Sequence, residues 1–388
     1  MIRTHSFSPP RLIAAVFACV LNLTAAAAVH QTDVFVAGTD GYHTYRIPAI
    51  VQTKAGTLLA FAEGRRSGRG DAGDIDLLVK RSSDGGRTWS AQTVIWEDGA
   101  NTCGNPCPVV DRETGAILLL ATHNLGTDSE TQIINKKSKG TRTPWVLRSD
   151  DDGRTWSKPV EITATTKVPA WGWYATGPGI GVQLERGPHA GRLVIPANHS
   201  FDDPTGTLRG GPYSHRTHTF YSDDHGRTWK LGGNSGANTN ESQVVELAEP
   251  AGGLLLNMRS YFGRSRRTHS VSRDGGLTWS APVDQPELVE PVCQASIIRQ
   301  AWPQAGRPGL ILFSNPADPK ARVALTVRSS SDDGKSWSGK LLLHAGPSAY
   351  SCLVRLTDTT AGCLYEAGDK GPYEKITFKI FNTASLQP

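Results

Sequence analysis

An arginine at position 46 stands in a run that otherwise reads as a strand buried in a core, GYHTYRIPAI at 41–50. Tyr45, Ile47, Ala49 and Ile50 suit a half-buried strand, and Pro48 suggests an edge or a strand end. A guanidinium in such a place is costly unless an anion pairs with it, so a structural carboxylate or a bound anion must be its partner. Further polar residues interrupt apolar runs along the chain. They are Glu63, Arg65, Arg66 and Asp71 in FAEGRRSGRGD, Glu241 in NESQVVEL, Arg259 in LLNMRS, Arg322 in NPADPKARVALTVR, Tyr350 in PSAYSCL and Glu366 in CLYEAGD. Singly, each has an ordinary reading as a loop carboxylate, a solvated charge or a strand aromatic. As a set they supply planar guanidinium forks for an oxyanion and carboxylates for proton transfer. They also supply a phenol that becomes a nucleophile if a base lies beside it.

Residues so far apart need a scaffold that converges, and a repeat supplies one. The pattern S-x-D-x-G-x-[TS]-W occurs five times: SSDGGRTW at 82–89, SDDDGRTW at 149–156, SDDHGRTW at 222–229, SRDGGLTW at 272–279 and SSDDGKSW at 330–337. Successive tryptophans are 67, 73, 50 and 58 residues apart, and strand-like runs such as DLLVKR, HTFY and VALTVR precede the boxes. The residue types describe a tight hairpin loop. The aspartate accepts backbone N–H bonds across the turn, the glycine supplies φ > 0, and the tryptophan packs between neighbouring sheets. Nothing in the box is catalytic. Units of this length, each with several short strands, read as blades of a β-propeller. Residues 29–388 hold about six units at this spacing, so the expected fold is all-β, a six-bladed β-propeller forming one domain, with the last blade closed by strands from both termini. Segments 98–108 and 200–215, rich in Gly, Pro and Asn, read as loops.

Composition agrees. The 388 residues include 41 Gly, 24 Pro and 10 Trp but only 2 Met, and no long segment has sustained helical periodicity. The net charge of +5 is mildly basic. The arginines are scattered, without a nucleic-acid-binding motif, so no nucleic-acid partner is expected. Arg3 and Arg11 precede an apolar run from Leu12 to Leu23 and then TAAAAVHQ, which reads as a leader cleaved after Ala28. The run is too short for a comfortable membrane span; export to the periplasm or the medium is expected, with no membrane span. Removing residues 1–28 leaves Cys103, Cys107, Cys293, Cys352 and Cys363, an odd number, so at least one thiol stays free. Cys103 with Cys107 could close a small loop and Cys352 with Cys363 a hairpin. No metal-ligand spacing occurs, and His215 and His218 in SHRTH read as surface polar residues.

The RIP strand, the five boxes, the late AYS and the order Arg, Asp, Glu, Arg, Arg, Tyr together resemble the exo-sialidases, the bacterial neuraminidase family with Asp-box (BNR) repeats. The resemblance covers essentially the whole mature chain. It implies that Arg46, Arg259 and Arg322 grip a sialic-acid carboxylate and that Glu366 orients Arg46. It implies further that Asp71 is the acid/base, Tyr350 the nucleophile and Glu241 its proton acceptor, and that Arg65 touches the sugar near its ring substituents. A one- or two-residue loop difference in RRSGRGDAGDID would exchange Arg65 with Arg66, or Asp71 with Asp74; Asp71 keeps the better spacing to DLLVKR. Nearby arginines should lower the tyrosine's pKa. The implied activity is that of a retaining exo-α-sialidase acting as a monomer on sialylated glycans, with no cofactor and no metal. A trans-sialidase, intramolecular or not, and a non-catalytic glycan- or peptide-binding propeller are the alternatives. Trp171, Trp173 and Tyr174 in PAWGWYATGPG read as an aglycone wall or as packing.

Overall fold

A computed structural model of the chain describes residues 1–3, 5, 30–208 and 213–386. The expected leader lies outside the described residues apart from positions 1–3 and 5. The chain is built from short, mostly antiparallel strands. The only α-helices among the described residues are the short Glu130–Ile134 and Thr163–Thr166. Thr44–Gln52, Leu58–Arg65, Ile75–Ser82 and Thr93–Trp96 pair in sequence order, and a single parallel bridge, Ile75 to Thr102, carries the sheet on into Thr102–Val110. Strand Gly339–Thr357 serves two neighbours: its first half pairs with Val323–Ser330 and its second with Thr360–Ala367. As expected from the repeat, the termini meet, because Gln31–Val36 pairs with Lys375–Asn382.

Burial follows position in each sheet. The first strands, TYRIPAIVQ, TCGNPCPVV and TNESQVVE, are buried nearly throughout, whereas an outer strand such as Thr93–Trp96 is mostly open to solvent. Fully buried strands must be covered on both faces, and here side chains of adjacent sheets meet: Phe378, Leu364 and Cys352 pack with Tyr45, Ile50 and Leu58.

The boxes behave as their residue types require. In each, the serine is the last residue of a strand (Ser82, Ser149, Ser222, Ser272, Ser330). In the first box Asp84 accepts from the N–H groups of Arg87 and Thr88 at 3.0 Å each and from Thr88 Oγ1 at 2.6 Å, and Ser82 Oγ accepts from Gly86 N at 2.8 Å. Gly86 has φ +90°, and a Cβ there would lie 2.2 Å from the Phe378 ring of the adjacent sheet. The glycine is required twice over, by backbone conformation and by close approach. Trp89 then meets the edge of Phe378, as Trp156 meets Phe61, so the box joins its own sheet to the next.

Pro48 is on an edge strand, one of the two places the sequence suggested: Thr44–Gln52 comes first in the order of its sheet, and Pro48 sits in a bulge within it, where the register slips between Arg46 and Ala49 and no ladder N–H is needed. Other sequence readings are corrected. Segment 98–108 is only partly loop, because Thr102–Val110 is a strand with its own bulge. The ends of 200–215 likewise belong to strands Leu193–Asp202 and Tyr213–Ser222. The five cysteines are free and buried, forming neither suggested bridge. His218 is not on the surface; it is fully buried, with Nδ1 3.0 Å from His199 Nδ1.

Candidate active site

Four buried first strands carry a bulge near the same end, and the bulged residues are the chemically interesting ones. The register slips between Arg46 and Ala49, between Gly104 and Cys107, between Thr239 and Ser242, and between Ser348 and Ser351. These slips release Arg46, Asn105, Glu241 and Tyr350 from strict alternation and turn them toward one cavity. Ile47 and Asn105 there have φ of +58° and +53°; for a β-branched isoleucine that is an uncommon conformation. It is held because the Ile47 N–H donates to Glu366 Oε1 at 2.9 Å.

The cavity has a volume of about 270 Å³, and seven of the eight residues to which the resemblance gave roles line it: Arg46, Arg65, Asp71, Glu241, Arg259, Arg322 and Tyr350. The eighth, Glu366, is fully buried behind Arg46. Its Oε1 accepts from Arg46 Nε at 2.7 Å and its Oε2 from Tyr350 N at 3.0 Å. One carboxylate thus fixes both the arginine and the backbone that presents the tyrosine. Arg46 also lies 4.0 Å over the ring of Tyr373, whose hydroxyl accepts from Arg322 at 2.7 Å. Arg259 donates to Glu241 at 2.7 Å and to Tyr350 Oη at 3.3 Å. Behind it, Ser260 N donates to Glu290, which forms a fully buried ion pair with Arg267 at 2.8 Å.

Tyr350 Oη donates to Glu241 Oε1, so a base is in contact with the phenol. The expected lowering of the tyrosine pKa is not found. Burial first, and then the Glu241 charge, raise it well above the ordinary value, and Arg259 and Arg322 do not compensate. The phenol is therefore neutral in the free protein, and its proton must leave toward Glu241 as it reacts.

Of the alternatives in the loop, Arg65 and Asp71 line the cavity. Arg65 is held by Glu63 at 2.6 Å and meets Asp71 at 2.8 Å; Arg66 instead pairs with Asp76 and Asp74, outside the cavity lining. The Asp71 side chain stands at the mouth, 60% exposed. Desolvation by the surrounding wall pushes its pKa up, but Arg65 and then Arg46 outweigh this, and the carboxyl is held below its ordinary range.

Some lining residues escaped sequence reading: Asn105, Glu130, Arg142, Asn198, Asn240 and Tyr373. Arg142 is buried without a carboxylate partner. It donates to Thr122, Asn124 and Asn105 and lies 4.3 Å over the Trp173 ring, and burial pushes its pKa down to about 10. Glu130 starts the helix Glu130–Ile134; burial, and then the Asp71 charge, push it up to about 7. The one available signal was GNP inside an apolar run, which repeats the logic of RIP. Of the three aromatics read as a wall or as packing, only Trp173 lines the cavity; Tyr174 is in the core and Trp171 stacks on His199 at 3.4 Å. Among the described residues no group of three or more His, Cys, Asp or Glu could hold a metal ion. A larger cavity, about 530 Å³, opens between the opposite ends of the same strands around Ile50, Val109, Val245 and Leu353, and none of the residues singled out above lines it.

Three arginines, a tyrosine and a paired carboxylate converge on one small cavity of a β-propeller-like fold, an arrangement that can hold a small carboxylate and set a phenol beside it. Residues 56–363 match the BNR repeat-like domain family. The chain is 37% identical over 372 residues to a sialidase of Micromonospora viridifaciens, covering 92% of this chain and 54% of that protein. It is 33% identical over 373 residues to an exo-alpha-sialidase of Aspergillus fumigatus, covering 88% and 84%. The structure of the Hadza microbial sialidase Hz136 superposes with a TM-score of 0.78 at 33% identity, over 91% of this chain and 68% of that one. The chain belongs to the BNR-repeat sialidase family, and it spans about half the length of the Micromonospora relative.

Proposed function

We propose that the protein is a retaining exo-α-sialidase that removes terminal sialic acid from glycans through a tyrosyl intermediate. The observation that carries this is the contact of Tyr350 with Glu241 beside Arg259, in a cavity shared with Arg46 and Arg322. Sialic acid bears a carboxylate on its anomeric carbon, and three fixed guanidinium groups match it in geometry and charge. The same carboxylate disfavours an anionic nucleophile: two charges about 4 Å apart repel by about 1 kcal/mol in water and about 4 kcal/mol at a surface-like dielectric. A neutral phenol avoids that repulsion.

In the first step the Tyr350 oxygen bonds to the anomeric carbon as its proton passes to Glu241. The bond to the leaving oxygen breaks, and Asp71 protonates that oxygen. In the second, Asp71 takes a proton from water, the water oxygen attacks the same carbon, and the tyrosyl bond breaks with the proton returning from Glu241. Two displacements retain configuration. Asp71 must be protonated at the outset; a substrate carboxylate on Arg46 would offset part of the field that holds its pKa down.

The same reading includes six blades. It is supported by the pairing of strands in successive groups of about four and by the contacts that run from Thr44–Gln52 through Thr102–Val110, Leu193–Asp202, Thr239–Glu246 and Ser296–Ala301 to Gly339–Thr357 and back. Export by the 1–28 leader, sialylated glycoproteins, glycolipids or oligosaccharides as substrates, and a monomeric state complete it. The test is hydrolysis of an α-sialoside followed by NMR. Initial release of the α-anomer supports the proposal and initial β-anomer refutes it, and an acceptor product appearing only with added lactose assigns the protein to transfer.

A further inference from the structure

Tyr373 stands between two of the three arginines, on the loop that follows Thr360–Ala367, and that loop is built to hold it still. The Glu374 carboxylate accepts from the N–H groups of Asp369, Lys370 and Gly371 at 2.9–3.0 Å. Glu374 O accepts from Ala37 N at 2.9 Å, and Gly368 N donates to Pro347 O at 3.2 Å. The ring packs against Ile47, Cys293, Ala349 and Tyr350. Its face lies 4.0 Å from the Arg46 guanidinium, and its Oη accepts from Arg322 at 2.7 Å. One side chain thus serves two like charges, giving its π face to one and an oxygen lone pair to the other.

The two phenols beside the arginines differ in where their protons go. A phenol has one proton to donate. Tyr350 gives its own to Glu241. Tyr373 receives a bond from Arg322, and its own proton meets no acceptor among the described residues. The residue is half-buried and lines the cavity, so that proton is open to a ligand. A guanidinium presents its N–H groups side by side in one plane, and an oxygen of a bound carboxylate on the next N–H of Arg322 lies beside the phenol oxygen. We infer that Tyr373 is a substrate-binding residue whose hydroxyl donates to the carboxylate gripped by Arg46, Arg259 and Arg322, as a fourth and uncharged donor. This rests on the sialidase reading of the same cavity. The carboxylate is present in substrate and transition state alike, so loss of this contact falls on KM and leaves kcat.

The test is Tyr373→Phe, which keeps the ring under Arg46 and removes only the hydroxyl. With an aryl α-sialoside KM should rise about tenfold, the value of one hydrogen bond to a charged group, with kcat within about twofold. A second measurement separates direct contact from support of Arg322. The Kd of the 2,3-unsaturated analogue of the sugar acid is read by calorimetry with and without Tyr373→Phe, in the parent and in Arg322→Ala. Weakening of about tenfold in the parent and at least about threefold in the Arg322→Ala background supports the inference. Weakening only where Arg322 is present overturns it, because Tyr373 then acts through that arginine alone. Unchanged KM in Tyr373→Phe, or a fall in kcat as large as the rise in KM, overturns it as well. An unaltered protein that cleaves no sialoside and does not bind the analogue overturns the sialidase reading together with the inference, whereas the preceding outcomes overturn the inference alone.

Discussion

Replacing Glu366 by glutamine should damage both the fold and the site, by an amount that follows from the bonding. The carboxylate accepts three donors: Arg46 Nε and Ile47 N on one oxygen, Tyr350 N on the other. An amide has one accepting end, so in either orientation its NH₂ group faces at least one buried N–H. That donor loses its partner, at about 1–3 kcal/mol. The larger loss is electrostatic, because Arg46 stays charged and buried with no carboxylate beside it, and breaking such a pair costs about 3–5 kcal/mol. These effects overlap in one network, so a total of about 3–5 kcal/mol is expected. For a chain of this length the unfolding entropy converts that to a fall in Tm of roughly 4–6 °C, readable by calorimetry. The same change frees Arg46 and the Tyr350 backbone, so KM should rise and kcat should fall. A Glu366→Gln protein with the parent's Tm and with both constants within about twofold would refute the assignment of Glu366 as the anchor of the site.

Tyr350→Phe removes the proposed nucleophile but leaves Glu241 held by Arg259. Hydrolysis of an aryl sialoside should fall about a thousandfold or more with Tm unchanged within about 2 °C, and full activity would remove Tyr350 from the mechanism. Asp71→Ala should harm natural substrates with poor leaving groups by at least about tenfold more than activated aryl ones, and equal losses would move the acid role to another group. Glu130, pushed up to about 7 by burial and Asp71, is neutral below that pH and adds an anion to an anion-binding cavity above it. KM should therefore climb about three- to tenfold as pH rises through 7, and the climb should vanish in Glu130→Gln; a persistent climb assigns it to another group.

The legible part of the site was its chemistry. Four arginines, one tyrosine and three carboxylates stand out in the sequence as breaks in the blade pattern, and seven of these eight residues line the cavity. What escaped depended on register. In a regular strand alternation settles which side chains share a face, but four of the first strands around the cavity are bulged, and a slip of one residue reverses the alternation. Pro48 marks such a slip and was legible only as an interruption. Asn105 follows the same logic beside Pro106. Asn198, Arg142 and Glu130 carry no such mark. The tyrosine pKa was misread for a related reason: its sign depends on how deeply Oη is buried relative to the arginines, and sequence records no depth.

The sequence by itself determined the repeated turns, because their interactions close within the box: Asp84 holds residues only three and four positions later. It determined the all-β class and the set of reactive groups for the same local reason. Only the tertiary structure decided which groups meet. Arg46 and Glu366 are 320 residues apart and Tyr350 and Glu241 are 109 apart, so their contacts exist only once the sheets have packed. The carboxylate that answers the charge at position 46 arrives from the far end of the chain, beside the strand that closes the fold.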